Sequence, residues 1–253
     1  MKPSVCERLI QLNRRFYEQF SAEFSATRRR LQPGVSRVLD TLHGNESILD
    51  LGCGNGELAR ALLHRGHRGP YLGLDFSRPL LSEAQLAPDT QAPIVTFLQI
   101  DLTRLTPDQI PPPLFHPDPT SVSRSAWMVI TCFATLHHIP CQTWRFQLLQ
   151  TIHALLADDG RFLLSNWQFL NSARLRQRIQ PWERIGLTAD DVEPGDYLLD
   201  WRRGGEGLRY VHHFTEQELA ALAQAAGFTI LDSFYSDGEG GRLSLYQTWT
   251  KRR

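Results

Sequence analysis

The sequence predicts an α/β fold built on a mostly parallel sheet. Between residues 47 and 167, apolar segments of strand length alternate with helical patterns of about 10 to 15 residues, which is typical of βαβ units with right-handed crossovers. The chain then closes with two strand-like segments, 229–235 and 243–250, joined by a glycine-rich turn. A hairpin at the end of a parallel sheet makes the sheet mixed. The 42% apolar share of the 253 residues suffices for one large core.

The elements follow in chain order. Apolar residues spaced three and four apart between residues 4 and 30 predict one N-terminal helix. The strands of the alternating region are predicted at 47–51, 71–74, 94–100, 127–133 and 161–167, and the helices at 35–42, 57–65, 79–87 and 143–157. The proline-rich stretch 106–125 has no period and predicts a surface insertion. Thr215 and Glu218 have capping-box spacing at the start of a helix that ends at Gly227.

We therefore divide the chain into four regions. These are an N-terminal helical extension at 1–34, a core at 35–170, a cap of short helices at 171–207, and a C-terminal completion of the core sheet at 208–253. The 27 basic and 27 acidic residues balance, which excludes indiscriminate binding to nucleic acid or to an anionic membrane. Charge is nevertheless uneven, because the first 30 residues carry seven basic and three acidic side chains.

Cysteine usage and hydropathy predict where the protein works. The four cysteines form no CxxC pair, so reduced thiols are expected and neither a disulfide framework nor a metal site is. No apolar run approaches the roughly 18 residues needed to span a bilayer, and the first residues lack the pattern of a signal peptide. The sequence thus predicts a cytoplasmic protein with no membrane partner.

The stretch ILDLGCGNGEL, residues 48–58, carries the clearest chemical signal. A strand ends near Asp50, and glycines follow at Gly52, Gly54 and Gly56. Glycines at such a turn let a ligand approach the backbone closely. A carboxylate at this position would repel a dinucleotide pyrophosphate but suits the ammonium group of S-adenosylmethionine (AdoMet).

Two further acids end the next two strands. Asp75 is placed to accept hydrogen bonds from both ribose hydroxyls, and Asp101 from the adenine amino group. Ligands of open α/β sheets bind at the carboxyl ends of the strands, so three acids on successive strands predict one site. The alternative is that Asp75 only caps the following helix and Asp101 only ends a strand.

Residues 35–170 resemble the class I AdoMet-dependent methyltransferases. The resemblance implies a three-layer Rossmann-like fold whose seven-stranded sheet has an antiparallel last strand, with AdoMet as cofactor and S-adenosylhomocysteine as product. The residues it assigns to cofactor binding are Arg28, Asp50, Gly52, Cys53, Gly54, Asn55, Asp75, Phe76, Ser77, Asp101, Leu102, Phe133 and His137.

A narrower resemblance rests on FSATR (24–28), TLHHI (135–139), Trp167 and RYVHHF (209–214), followed by Glu218-Leu219. Together they are similar to the carboxymethyluridine tRNA methyltransferases, which esterify a carboxymethyl group on the wobble uridine. The resemblance implies tRNA as a partner and a small zinc-binding activator subunit. The chain departs from that family in its cap and near its end, where SDGEGGRLSLYQ replaces an acidic-Arg-Asp-Asn-Trp segment.

The acceptor determines which side chains the reaction needs. A carboxylate is ionised at pH 7 and needs a cation, for which Arg28 and Arg209 are the candidates. A phenol, amine or ring nitrogen would need a base from one of the histidines. We assign no side chain as a catalytic acid or base. The residues expected to position the acceptor are Arg28, His138, Arg209 and His212. The expected substrate contacts are Trp167, Arg209, Tyr210 and His212. The further candidates for a base are His137 and His213.

Alternatives to this assignment stay open. Arg28 begins a run of three arginines that is equally compatible with a solvated helix end, and Trp167 is equally compatible with the core. The acceptor is alternatively a metabolite or a natural product. A third alternative is a regulatory protein that binds AdoMet without turnover.

Overall fold

The central element is a seven-stranded sheet. Our computed structural model describes residues 1–27, 30–85, 95–113 and 126–252. The strands of this sheet are β1 Ile48–Leu51, β2 Tyr71–Asp75, β3 Val95–Gln99, β4 Trp127–Phe133, β5 Leu156–Trp167, β9 Phe228–Ser236 and β10 Ser244–Lys251. They lie in the order β3-β2-β1-β4-β5-β10-β9. Strands β1 to β5 pair in parallel, whereas β10 is antiparallel to both β5 and β9. The predicted Rossmann-like architecture is confirmed.

Helices cover both faces of the sheet. The helices are α1 Pro3–Gln19, α2 Ser21–Ala26, α3 Pro33–Leu39, α4 Glu57–His64, α5 Arg78–Ala84, α6 Gln142–Leu155, α7 Ala173–Arg176 and α8 Glu216–Ala225. Side chains alternate between the faces of a strand, so Ile48 packs with α3 and α4 while Leu49 packs in the cluster that includes α6 and α8. The result is a three-layer core, and none of the described helices is long and apolar enough to cross a membrane.

The cap contains a second sheet, which the sequence analysis did not predict. Strands β6 Ile179–Gln180, β7 Asp196–Trp201 and β8 Gly207–His212 form it in antiparallel order. Strand β8 therefore belongs to the cap, which extends to residue 212, and the completion of the core sheet begins after it. The expected short helices are present, α7 among them, but the cap also contains β6 and β7, which pair across the irregular sequence between them.

The N-terminal extension packs against this cap sheet. The predicted single helix is broken at Phe20 into α1 and α2. Buried Asn13 of α1 fixes the contact: its side chain accepts a hydrogen bond from the Tyr210 backbone N–H (2.8 Å) and donates one to the Tyr210 carbonyl (3.1 Å). This helix is therefore held over the carboxyl ends of the core strands.

Candidate active site

The turn after β1 forms the floor of the site. Gly52, Gly54 and Gly56 all have positive φ angles, of 78°, 54° and 75°. A Cβ on Gly52 would lie 2.2 Å from Thr135 Oγ1, whereas nothing lies within 4 Å of a Cβ on Gly54. Gly52 thus permits close packing of the turn against Thr135. Gly54 borders open space, so a ligand can approach the turn there.

Asp75 lies at the end of β2, beside this turn. Its Oδ2 accepts the Gly54 N–H at 2.9 Å and its Oδ1 accepts the Ser77 N–H at 2.8 Å. Burial raises the pKa of Asp75, although these backbone hydrogen bonds oppose the rise. Each carboxylate oxygen keeps lone-pair capacity for a further donor, which is what a pair of ribose hydroxyls requires.

Asp50 is more deeply enclosed. Its Oδ1 accepts the Thr131 hydroxyl (2.6 Å) and its Oδ2 accepts the Tyr71 hydroxyl (2.5 Å). Burial raises the pKa of this carboxyl to about 6 in spite of both hydrogen bonds, and the charge of Asp75 adds to the rise. Neighbouring Cys53 is a buried thiol whose pKa is raised by burial and by the same two carboxylates. Asp50 of β1 therefore links β2 and β4 through its hydrogen bonds, and it also lines the space where a ligand can bind.

Asp101 follows β3 and is more open. Its Oδ1 accepts the backbone N–H of Thr103 at 3.0 Å and the Thr103 hydroxyl at 2.8 Å. Its Oδ2 forms an ion pair with Arg14 of α1. The N-terminal extension is thus tied directly to the third acid of the site.

These residues open into one cleft of about 680 Å³ at the carboxyl ends of the core strands. A volume of this size is typical of small-molecule and cofactor sites. One wall contains the glycine turn, Phe76, Leu102 and Phe133, and the opposite end contains Trp167, Arg209 and residues of the cap. We call these the cofactor end and the acceptor end.

An immobilised arginine marks the acceptor end. The guanidinium carbon of Arg209 lies 4.8 Å from the ring centre of Trp167, 5.4 Å from that of Phe16 and 5.6 Å from that of Trp201. The residue is only 8% exposed and lines the cleft. Aromatic faces attract a guanidinium and restrict its rotamers, so the positive charge is held in place before any acceptor binds.

A tyrosine and a histidine that line the cleft are hydrogen-bonded to each other. The Tyr17 hydroxyl is 2.9 Å from His138 Nε2, and His138 Nδ1 is 3.2 Å from the Tyr210 carbonyl oxygen. Because a carbonyl only accepts, Nδ1 carries the proton and Nε2 accepts the hydrogen bond of the tyrosine. Asn13 also donates to the His138 carbonyl at 3.2 Å, so α1 holds this turn from two sides.

The family of the chain follows from comparison with known proteins. A family model described as "Methyltransferase domain" matches residues 24–233. The chain belongs to this methyltransferase family. S-adenosylmethionine is its cofactor, and the acids and glycines at the cofactor end fit its ribose, adenine and methionine portions.

Individual relatives cover most of the methyltransferase. It is 28% identical over 220 residues to a protein of Encephalitozoon cuniculi that is named as a methyltransferase, covering 86% of this chain and 87% of the relative. A SAM-dependent methyltransferase from Methanosarcina mazei superimposes with a TM-score of 0.64 at 19% identity, over 88% of this chain and 98% of that one. The 1,6-didemethyltoxoflavin-N1-methyltransferase from Burkholderia thailandensis, solved with that compound and S-adenosylhomocysteine, has a TM-score of 0.64 at 20% identity, over 100% of this chain and 92% of that one.

The structure brings most of the predicted cofactor residues together. Those that line the cleft of the methyltransferase are Asp50, Gly52, Cys53, Gly54, Asn55, Asp75, Phe76, Asp101, Leu102, Phe133 and His137. Ser77 is fully buried and contributes its backbone N–H to Asp75. Arg28 lies outside the described residues. The neighbouring part of its FSATR motif reaches the site, because Phe24 lines the cleft and Ser25 accepts a hydrogen bond from Asn55 at 2.8 Å.

The predicted acceptor residues divide into two groups. His138, Trp167 and Arg209 line the cleft, whereas Tyr210 and His212 do not. The structure does not bring Tyr210 and His212 into the cleft with Arg209, because both lie on the opposite face of β8, where both contact Asp196.

His212 belongs to a buried polar cluster behind the cleft. Its Nδ1 is 2.7 Å from Asp196 Oδ1 and its Nε2 is 2.9 Å from Glu218 Oε1. Burial lowers the pKa of His212, but the hydrogen bonds to the two carboxylates outweigh burial and raise the pKa above its ordinary value. His213, the other candidate on this strand, packs against Phe169 outside the cleft, and burial lowers its pKa.

Sequence reasoning missed the contribution of α1. Ile10, Asn13, Arg14 and Tyr17 all line the cleft, at helical spacings of three and four. The signal was present, since Asn13 interrupts an otherwise apolar stripe and is 1% exposed in the structure. A buried amide in a core stripe needs hydrogen-bonding partners, which predicts a contact with another backbone.

Proposed function

We propose that this methyltransferase esterifies a carboxylate, and that its acceptor is the carboxymethyl group on the wobble uridine of tRNA. The observation that carries the proposal is Arg209, which is fixed among Phe16, Trp167 and Trp201 at the acceptor end of the cleft. An arginine fork matches a carboxylate in two hydrogen bonds, and its confinement lowers the entropy lost on binding.

The chemistry of such an acceptor matches the groups that line the cleft. AdoMet, when bound, supplies an electrophilic methyl group whose C–S bond pair stays on sulfur. A carboxylate oxygen forms the new bond to carbon, and no proton has to be removed. Arg209 orients the carboxylate, and Asp75 and Asp101 hold the ribose and adenine so that the methyl carbon and the oxygen can align. The methyltransferase therefore requires positioning rather than a base.

The contacts of His138, which lines the cleft, are consistent with this chemistry. Nε2 of His138 already accepts a hydrogen bond from Tyr17, and Nδ1 donates to a backbone carbonyl. We infer that the pair positions α1 over the acceptor instead of removing a proton. Trp167 lines the cleft beside Arg209 and is the aromatic ring against which we expect the uracil ring to pack.

The proposal includes a small zinc-binding activator subunit, which the narrower sequence resemblance suggests. We expect the methyltransferase purified together with such a subunit to have a higher turnover on tRNA than the methyltransferase alone. A turnover on tRNA that is the same with and without the subunit would contradict this part of the proposal alone.

A small-molecule acceptor is the second candidate. It is favoured by the likeness to the didemethyltoxoflavin methyltransferase, whose superposition extends over all of this chain, cap included. The cap could then enclose a metabolite at the acceptor end.

Incubation with labelled AdoMet and two separate acceptor pools, total tRNA and a small-molecule extract, distinguishes the candidates. The proposal predicts label in the tRNA pool, released by mild alkali as expected of an ester. Label that enters only the small-molecule pool, or that resists alkali, would overturn it.

A further inference from the structure

The cap presents an excess of arginines to the acceptor end of the cleft. Among the described residues that line the cleft, the arginines of the cap are Arg174, Arg178, Arg202, Arg203 and Arg209. We call the first four the cap arginines. Asp200 is the single carboxylate of the cap in this lining, as far as the described residues go.

One carboxylate serves two of these arginines. Asp200 Oδ1 is 3.4 Å from Arg178 Nη1, and Asp200 Oδ2 is 2.7 Å from Arg202 Nη2. Arg174 and Arg203 form no ion pair with any described residue. The cap arginines therefore retain three uncompensated positive charges on one concave surface, where field lines concentrate.

Neither the cofactor nor the carboxylate accounts for this charge. AdoMet carries a sulfonium and an ammonium group against one carboxylate, so its net charge is positive and the cap arginines would repel it. The acceptor carboxylate in our proposal is already matched by Arg209. A further anionic group on the acceptor would account for the surface.

We propose that the cap arginines form a phosphate-binding subsite for the phosphodiester groups that flank the acceptor nucleotide. This inference rests on the proposed function and extends it to the polynucleotide backbone. Arginine pairs with phosphate oxygens in two parallel hydrogen bonds, and neutralising each phosphate also releases counterions.

The positions of the cap arginines suit more than one phosphate. Arg174 lies in α7 and Arg178 in the turn that follows it, where the Arg178 N–H donates to the Leu175 carbonyl at 2.9 Å. Arg202 and Arg203 come from the turn between β7 and β8. That turn is packed closely on α2, because a Cβ on Gly204 would lie 2.5 Å from Glu23 Oε1.

The test compares two acceptors in steady-state kinetics, the free nucleoside 5-carboxymethyluridine and a short RNA hairpin with that nucleoside in its loop. Arg174→Gln and Arg203→Gln should each raise KM for the hairpin about fivefold and leave KM for the nucleoside unchanged. Each should also reduce the slope of log KM against log salt by about one unit. The matched control is Arg184→Gln, an exposed cap arginine outside the cleft, which should change neither value.

Equal effects on nucleoside and hairpin, or equal effects of the cleft and control variants, would overturn the subsite. Fluorescence anisotropy with an unmodified hairpin separates this inference from the proposed function, because it needs no methyl transfer. If the wild type methylates neither acceptor, the proposed function is wrong. Loss of hairpin affinity in Arg174→Gln and Arg203→Gln but not in Arg184→Gln then still supports the subsite, and unchanged affinity in all three rejects it.

Discussion

The two ends of the cleft are built by different means. At the cofactor end, Asp50 and Asp75 lie at the ends of neighbouring core strands, and each accepts hydrogen bonds from backbone or hydroxyl groups of the core. At the acceptor end, Arg209 projects from a separate small sheet and is held by aromatic rings from α1 and β7 and by Trp167 at the end of β5. The first end depends on local sequence around a rigid sheet, and the second depends on how three regions of the chain pack.

The comparison predicts that the cofactor end is sensitive to the loss of a single carboxylate. Replacing Asp75 by Ala removes the carboxylate that we expect to accept hydrogen bonds from both ribose hydroxyls, so AdoMet affinity should fall about 100-fold or more by isothermal titration. Asp75→Asn keeps the shape and one acceptor oxygen and should show an intermediate loss. An unchanged AdoMet affinity in Asp75→Ala, with the fold intact by circular dichroism, would show that Asp75 does not bind AdoMet.

The pH dependence of the free energy of unfolding tests the same end through Asp50. Its pKa is 3.8 in an unfolded chain and about 6 in the fold, so the folded state binds the proton more tightly. The contribution of this group to stability is therefore greatest below about pH 4 and is lost as pH rises to about 6, by up to about 3 kcal/mol. Denaturant unfolding of Asp50→Asn, compared with wild type, should show the variant gaining relative stability over that interval. A stability difference that stays constant with pH would contradict the raised pKa.

Arg209 tests the acceptor end. Arg209→Gln should lower kcat/KM for the acceptor about 30-fold, since a charge-assisted pair is lost, while AdoMet affinity stays within about twofold of wild type. Arg209→Lys keeps the charge but not the planar fork and should recover part of the activity. A parallel loss of AdoMet affinity would place Arg209 at the cofactor end instead.

The smallest kinetic effect is expected at His212, behind the cleft. His212→Asn should leave both KM values within about twofold but destabilise the protein by about 1–2 kcal/mol near pH 5.5. The pKa of His212 is raised in the fold, so its stabilisation is complete below the unfolded value of 6.5 and is lost as pH rises through the folded value. Urea unfolding near pH 5.5 and pH 9 measures the difference. A large change in KM with no loss of stability would indicate that His212 contacts the substrate after all.

The division between the ends also explains what the sequence could predict. Asp50, Asp75 and Asp101 were assigned from local motifs, because a strand followed by a turn fixes where each side chain emerges. His212 was assigned to substrate from its motif, although it lies three residues from Arg209, and that spacing in a strand places the two on opposite faces. The cap sheet depends on long-range pairing that no local pattern encodes. The sequence shows Asn13 as a polar residue in an apolar stripe, but it does not show that Tyr210 is the partner.

The central claim is that one cleft joins an AdoMet site to a carboxylate-binding acceptor site. Mass spectrometry of two RNA hairpins, one with 5-carboxymethyluridine and one with uridine at the same position, tests it after incubation with AdoMet. The account predicts one added methyl group on the carboxymethyl hairpin alone, removed by mild alkali as an ester. No added methyl group on that hairpin, or a methyl group that survives alkali, would contradict it.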